Sequence, residues 1–148
     1  MISIIQRVTT ATVTVNRHDI GKIGTGIVAL VAVEKEDTPK DAQRLLERIL
    51  NYRIFADEHD RMNLSLLDIN GGLLLIPQFT LAADTRKGNR PSFASAATPE
   101  KGRELFACLQ QLAQQSYPLV EFGQFGADMQ VSLVNNGPVT FTLKTHGL

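Results

Sequence analysis

A chain of 148 residues can bury roughly 70% of its unfolded surface as one domain, and 43% hydrophobic with 20% charged residues excludes a disordered or fibrous protein. Fifteen Lys and Arg balance fifteen Asp and Glu, so no net field gathers nucleic acid over the whole surface. Any RNA contact must come from a local patch, and DNA is not an expected partner. The single Cys108 leaves no internal disulfide and fits a reducing compartment. No signal peptide is recognisable, and no apolar run approaches the roughly 20 residues that span a bilayer. The expected location is cytoplasmic, away from any membrane.

Ile2 to Val15 is β-rich, with Ala11, Val13 and Val15 alternating with threonines. Asn16 to Asp19 reads as a polar turn. Gly21, Gly24 and Gly26 open a strand rather than a helix, so they predict a hairpin turn and not a phosphate cradle. Gly26 to Val33 is apolar without alternation, as in a strand covered on both faces. Thr38-Pro39-Lys40-Asp41 starts a helix whose stripe is Ala42, Leu45, Leu46, Ile49 and Leu50. Tyr52 to Phe55 predicts a short strand ahead of a polar turn at Asp57 to Asp60. Asn70-Gly71-Gly72 predicts a tight hairpin feeding Leu73 to Ile76. Ala83 to Ser95 is a loop carrying Arg86, Lys87 and Arg90. Thr98-Pro99-Glu100 starts a second helix with Leu105, Leu109, Leu112 and Ala113 on its stripe. Leu119 to Phe125 predicts a strand; Met129, Val131 and Leu133 alternate, as do Val139, Phe141 and Leu143. Seven or eight strands and two helices without βα repetition indicate one α+β domain. Its mostly antiparallel or mixed sheet, or barrel-like core, is covered by the two helices.

Two stretches stand out. Pro77-Gln78-Phe79-Thr80-Leu81 follows one apolar run, and Asn135-Asn136-Gly137-Pro138-Val139-Thr140 follows another. A Gly-Pro step cannot continue a central ladder, since proline has no N–H; where Pro138 falls, carbonyls are released from the sheet. An ordinary turn there remains an equally good reading. His18, His59 and His146 are too scattered to suggest a metal site, and Asp57 to Asp60 lacks the alternating acids of a calcium loop. Thr80, Ser65, Ser92 and Ser95 are candidate nucleophiles, but no His or acid within either stretch would activate one. Thr80 is read equally well as a strand residue bonding to backbone. Arg86-Lys87-Gly88-Asn89-Arg90 is a solvated loop or a phosphate contact.

These segments resemble the paired signature motifs of the D-aminoacyl-tRNA deacylases. The resemblance runs from Ile4-Ile5-Gln6-Arg7-Val8 through Tyr52 to Phe55, Met62-Asn63-Leu64 and Gln78 to Ala82. It ends with Phe125-Gly126-Ala127-Asp128-Met129 and Leu133 to Thr140. The family's first motif usually opens with Ser, and Pro77 here has neither hydroxyl nor N–H. The resemblance implies a homodimer, with no cofactor and no metal, that hydrolyses the ester joining a D-amino acid to the terminal adenosine of tRNA. It implies a cis Gly137-Pro138 bond that turns both carbonyls to one side, reaches into the partner's pocket and is held by Arg7. An L-residue would drive its side chain into those carbonyls, whereas glycine, and hence glycyl-tRNA, would pass. Gln78, Phe79 and Thr80 are the expected catalytic residues, the N–H groups of Phe79 and Thr80 serving the oxyanion. Gly137, Pro138, Arg7, Met129 and Asn135 are the expected substrate-binding residues. The implied base is the 2′-hydroxyl of the tRNA, with Thr80 as covalent nucleophile the competing mechanism. A non-catalytic RNA-end or small-molecule binder on the same fold is the rival reading, with Pro77 as its best argument; a protein serving only dimer assembly is the other.

Overall fold

A computed structural model of the chain describes residues 1–146. The first strand, β1 (Ile2–Val15), is the spine of the sheet. It reverses at Asn16 and Arg17, both at positive φ (50° and 68°), into β2 (His18–Ile23). Then β3 (Gly26–Ala32) follows on the same edge of β1. The register runs unshifted from Ile23 opposite Ala11 to Gly26 opposite Val8, so the glycines predicted to form a hairpin turn lie within one long returning strand. Gly26 is required there because a Cβ would stand 1.9 Å from the Gly72 carbonyl oxygen.

Helix α1 (Pro39–Asn51) starts as the sequence indicates, the Asp41 carboxylate accepting from the Thr38 N–H at 2.9 Å. A two-stranded ribbon follows, β4 (Phe55–Ala56) and β5 (Met62–Leu64), shorter than the strand predicted from Tyr52. The hairpin predicted at Asn70-Gly71-Gly72 does not form. Ser65 and Asp68 cap each other to make a one-turn helix, α2 (Leu66–Ile69), which ends on Asn70 at φ 53°. Strand β6 (Gly72–Pro77) then lies parallel to β3, the connection crossing over through α1. After α3 (Pro99–Ser116), β7 (Val120–Phe122) lies parallel to β6 and is shorter than the predicted Leu119–Phe125. The sheet is therefore mixed, and three helices stand where two were expected, α2 being the addition.

The last strand, β8 (Gln130–Lys144), pairs with β1 on the edge that β2 and β3 leave free. The sheet curls until its two extremes meet. A Cβ on Gly21 of β2 would sit 3.1 Å from the Phe122 carbonyl oxygen of β7, giving a nearly closed, barrel-like form. Successive residues of β6 face opposite sides: Leu73 and Leu75 meet α1 and α3, while Leu74 and Ile76 pack with Val8, Val13 and Val28. Each such fully buried side chain contributes about 1.5–3 kcal/mol, which explains a strand apolar at every position.

Candidate functional site

A cleft of about 440 Å³ opens where the parallel strands β3 and β6 end. Its walls are Val31 and Val33 from the end of β3 and Ile76 to Phe79 from the end of β6. The segment Phe125–Met129 and the start of α3 complete it. The carboxyl end of parallel strands is where backbone groups run out of ladder partners, so a ligand site there is expected. Asp128 is the one titratable group among the lining residues, and the rest of the lining is largely apolar.

Pro77 keeps its ladder position opposite Val31, and the next N–H, that of Gln78, donates to the Val31 carbonyl at 2.7 Å. The proline ring packs where a Cβ on Gly123 would lie 3.1 Å from Pro77 Cδ. The chain then tightens into a 3-10 turn, Phe79–Ala82, rather than continuing as strand. The N–H groups of Phe79 and Thr80 open that turn, and neither meets a backbone or side-chain acceptor among the described residues. Leu81 and Ala83 N–H, by contrast, are bonded to Gln78 and Thr80 carbonyls at 3.1 Å each. Gln78 Nε2 donates to Thr80 Oγ1 at 2.5 Å, the contact that ties the Thr80 hydroxyl to the cleft wall. The Phe79 ring is 61% exposed and tilted against Phe93 at 5.4 Å, a large apolar surface left beside an open cleft.

A second group forms elsewhere on the sheet. Between Gln6–Thr140 and Val8–Asn135, β1 advances two residues while β8 advances five, so Asn136 to Val139 bulge out of the ladder. Pro138 interrupts the pairing as its missing N–H requires, but β8 resumes on the same partner beyond it. The Gly137–Pro138 bond is cis, and Gly137 lies at φ 149°, where a Cβ would meet Val139 Cγ2 at 2.6 Å. Two side chains clamp the bulge. Arg7 Nε donates to the Asn136 carbonyl at 2.9 Å and its Nη1 to the Ile54 carbonyl at 2.8 Å. Asn135 Oδ1 accepts from the Val139 N–H at 2.7 Å while its Nδ2 donates to Thr140 Oγ1 at 2.9 Å.

The eight residues singled out from sequence thus fall into two places. Gln78, Phe79 and Met129 line the cleft and Thr80 adjoins it through Gln78; Arg7, Asn135, Gly137 and Pro138 form or clamp the bulge, and none of them lines the cleft. Sequence reasoning carried Phe125 within a motif without giving it a role, and missed the wall that Thr98, Pro99 and Gly102 form beside it. Its signal was present, for Thr98-Pro99 had been read as a helix start only; Thr98 Oγ1 indeed accepts from the Lys101 N–H at 3.2 Å.

Away from the cleft, ligand atoms of Asp37, Asp41 and His146 lie within 4.8 Å of one another, a grouping the sequence spacing hid. Their oxygens are already engaged. Asp37 Oδ1 receives the Met1 ammonium at 2.5 Å, and Asp41 Oδ1 receives His146 Nε2 at 2.8 Å. On the loop after Phe79, Asp84 is held down to about 2 by side-chain and backbone hydrogen bonds from Arg86.

A family model described as D-Tyr-tRNA(Tyr) deacylase matches residues 4–144. The chain is 60% identical over 144 residues to a D-aminoacyl-tRNA deacylase of Pseudomonas entomophila, spanning 97% of this chain and 99% of that one. It is 58% identical to a D-aminoacyl-tRNA deacylase of Alkalilimnicola ehrlichii, spanning 97% and 96%. Among solved structures, a c-Myc DNA unwinding element binding protein superposes with a TM-score of 0.94 at 37% identity, over 99% of this chain and 100% of that one. A probable eukaryotic D-amino acid tRNA deacylase shares the fold with a TM-score of 0.83 at 15% identity, over 96% and 97%. The chain therefore belongs to the D-Tyr-tRNA(Tyr) deacylase family of hydrolases.

Proposed function

We propose that the protein cleaves the ester between a D-amino acid, or glycine, and the 3′-terminal adenosine of tRNA. It works in the cytoplasm as a homodimer in which each cleft is completed by the partner's Gly137-Pro138 bulge. One observation carries this reading. The cleft offers unpaired N–H groups and an exposed aromatic ring, yet the clamped bulge lies outside the lining of its own subunit's cleft.

The chemistry follows from those groups. Water adds to the ester carbonyl, the resulting oxyanion accepts from the Phe79 and Thr80 N–H groups, and the ribose 3′-oxygen leaves with a proton. The cleft lining presents no His to act as base. The vicinal 2′-hydroxyl of the tRNA ribose fills that role, lying within reach of the attacking water by the substrate's own geometry. Gly137 and Pro138 carbonyls stand where the side chain of an L-residue would go, and a side-chain-free glycine passes. Rejection by a fixed backbone serves specificity better than attraction, since it leaves the accepted side chain unread.

Incubation with matched D-, L- and glycyl-tRNA esters tests this. Release from the D- and glycyl-esters with the L-ester intact is expected. Release from none, with tRNA still bound, would replace the enzyme with an RNA-end binding protein, the reading that Pro77 favours; the Gln78 N–H at Pro77's flank supports the ladder without it.

A further inference from the structure

Resting on the reading of the cleft just given, we propose that Lys87 and Arg90 form a phosphate handle for the single-stranded 3′ end of the RNA whose terminal nucleotide enters beside Phe79. The loop that carries them leaves directly from the 3-10 turn bearing Phe79 and Thr80. Its base is closed by mutual backbone bonds between Asp84 and Ser92, at 2.7 and 3.0 Å. Its return limb is tied back by Ser95 Oγ donating to the Ala82 carbonyl at 2.9 Å and by Phe93 lying on Phe79. A segment pinned at both ends beside the cleft holds its tip at a set distance from the reacting ester.

The three cations of that tip have different roles. Arg86 is committed to the loop itself: its Nε and Nη2 grip Asp84 at 2.9 and 2.8 Å, and its own N–H donates to the same carboxylate at 3.0 Å. Gly88, at φ 66°, then reverses the chain. Lys87 and Arg90 on either side of that reversal are exposed and meet no carboxylate among the described residues. From Asp84 to Thr98 three cations stand against one acid, a local excess in a chain whose fifteen Lys and Arg balance fifteen Asp and Glu overall. A local positive excess beside a site that receives the last nucleotide of an RNA faces that strand's preceding phosphates. Such contacts position without reading sequence, as an enzyme acting on many tRNAs requires.

The test compares Lys87→Ala/Arg90→Ala with the native chain, using Arg44→Ala, an exposed charge on α1, as the control. On D-aminoacyl-tRNA the double variant should raise KM about tenfold and flatten the dependence of log KM on log salt by about 1.4. On D-aminoacyl-adenosine, which carries no phosphate, the double variant and the native chain should agree within about twofold. A titration with an unacylated single-stranded oligoribonucleotide ending in CCA, read by anisotropy across salt, gives the same slope difference without catalysis. Equal losses on the nucleoside ester, an unchanged salt slope, or preferred binding of duplex DNA would overturn the proposal. If the native chain hydrolyses neither ester, the activity reading fails and the oligonucleotide slope alone decides the handle.

Discussion

At the scale of single residues, two hydrogen-bonded groups make separable predictions. Thr80 Oγ1 accepts from the Gln78 amide, the cleft lining holds no His, and its one carboxylate, Asp128, makes no hydrogen bond to Thr80 among the described residues. Thr80→Val should therefore keep kcat within about tenfold in single-turnover assays, since it removes a positioning contact and not a nucleophile. A loss beyond about a thousandfold in a folded variant would instead identify Thr80 as the nucleophile and sink the RNA-assisted route. The matching substrate change, a 3′ ester on a terminal 2′-deoxyadenosine, should lose about 10²–10⁴ in rate. Asp41 carries the other prediction. Burial pushes its carboxyl up, but bonds from the Thr38 N–H, Thr145 and His146 outweigh that and hold it down to about 2, against an ordinary 3.8. The folded form thus releases its proton more readily than the unfolded one. Its stabilisation, about 2 kcal/mol, is complete above the unfolded value and is lost as pH falls through the folded one. Urea midpoints measured from pH 5 to pH 2 should fall more steeply for the native chain than for Asp41→Asn, and parallel slopes would refute the assignment.

Among the elements, the bulge in β8 shows what local sequence can and cannot say. Pro138 announced an interruption of the ladder, and the ladder is interrupted; that β8 resumes on β1 depends on pairings with residues more than 120 positions away. The same limit hid the parallel strands. Leu73 to Ile76 is apolar enough to be covered on both faces, but nothing local assigns β3 as its neighbour, and Asn70-Gly71-Gly72 imitates a hairpin. The Ser65–Asp68 cap that defeats that hairpin was legible and overlooked. Half of the cleft was readable as a motif at Gln78 to Leu81, whereas the α3 wall lies some 20 residues further on and is joined to it only by folding. The bulge itself rests on Arg7 and Asn135. Arg7→Lys cannot span two carbonyls with one ammonium, and Asn135→Ala leaves the Val139 N–H unpaired, each change costing about 1–3 kcal/mol of local order. Both variants should hydrolyse the L-ester measurably while retaining most D-ester turnover, judged by the ratio of the two rates. An unchanged ratio would mean that the clamp does not set chirality.

For the molecule as a whole, the question is what covers the outer side of β8. On that strand Val134 and Phe141 are 53% and 37% exposed, more apolar surface than a solvated edge strand needs, while Val131 belongs to the cleft lining. A two-fold partner would bury it and, by the same symmetry, exchange bulges between clefts. That arrangement can be tested without a structure of the dimer, by mixing two subunits damaged in different places. A subunit with Phe79→Pro, at the first position of the 3-10 turn, keeps a sound bulge beside a cleft stripped of one oxyanion N–H and of its aromatic ring. A subunit with Asn135→Ala keeps a live cleft and, by the argument above, leaks L-ester turnover. When the second is refolded with a several-fold excess of the first, most live clefts face a sound bulge from the other chain. The L-ester activity of the mixture should then collapse while D-ester activity per live cleft persists. Were each cleft guarded by its own subunit's bulge, the excess partner would change nothing, and L-ester turnover would simply track the amount of the Asn135→Ala chain.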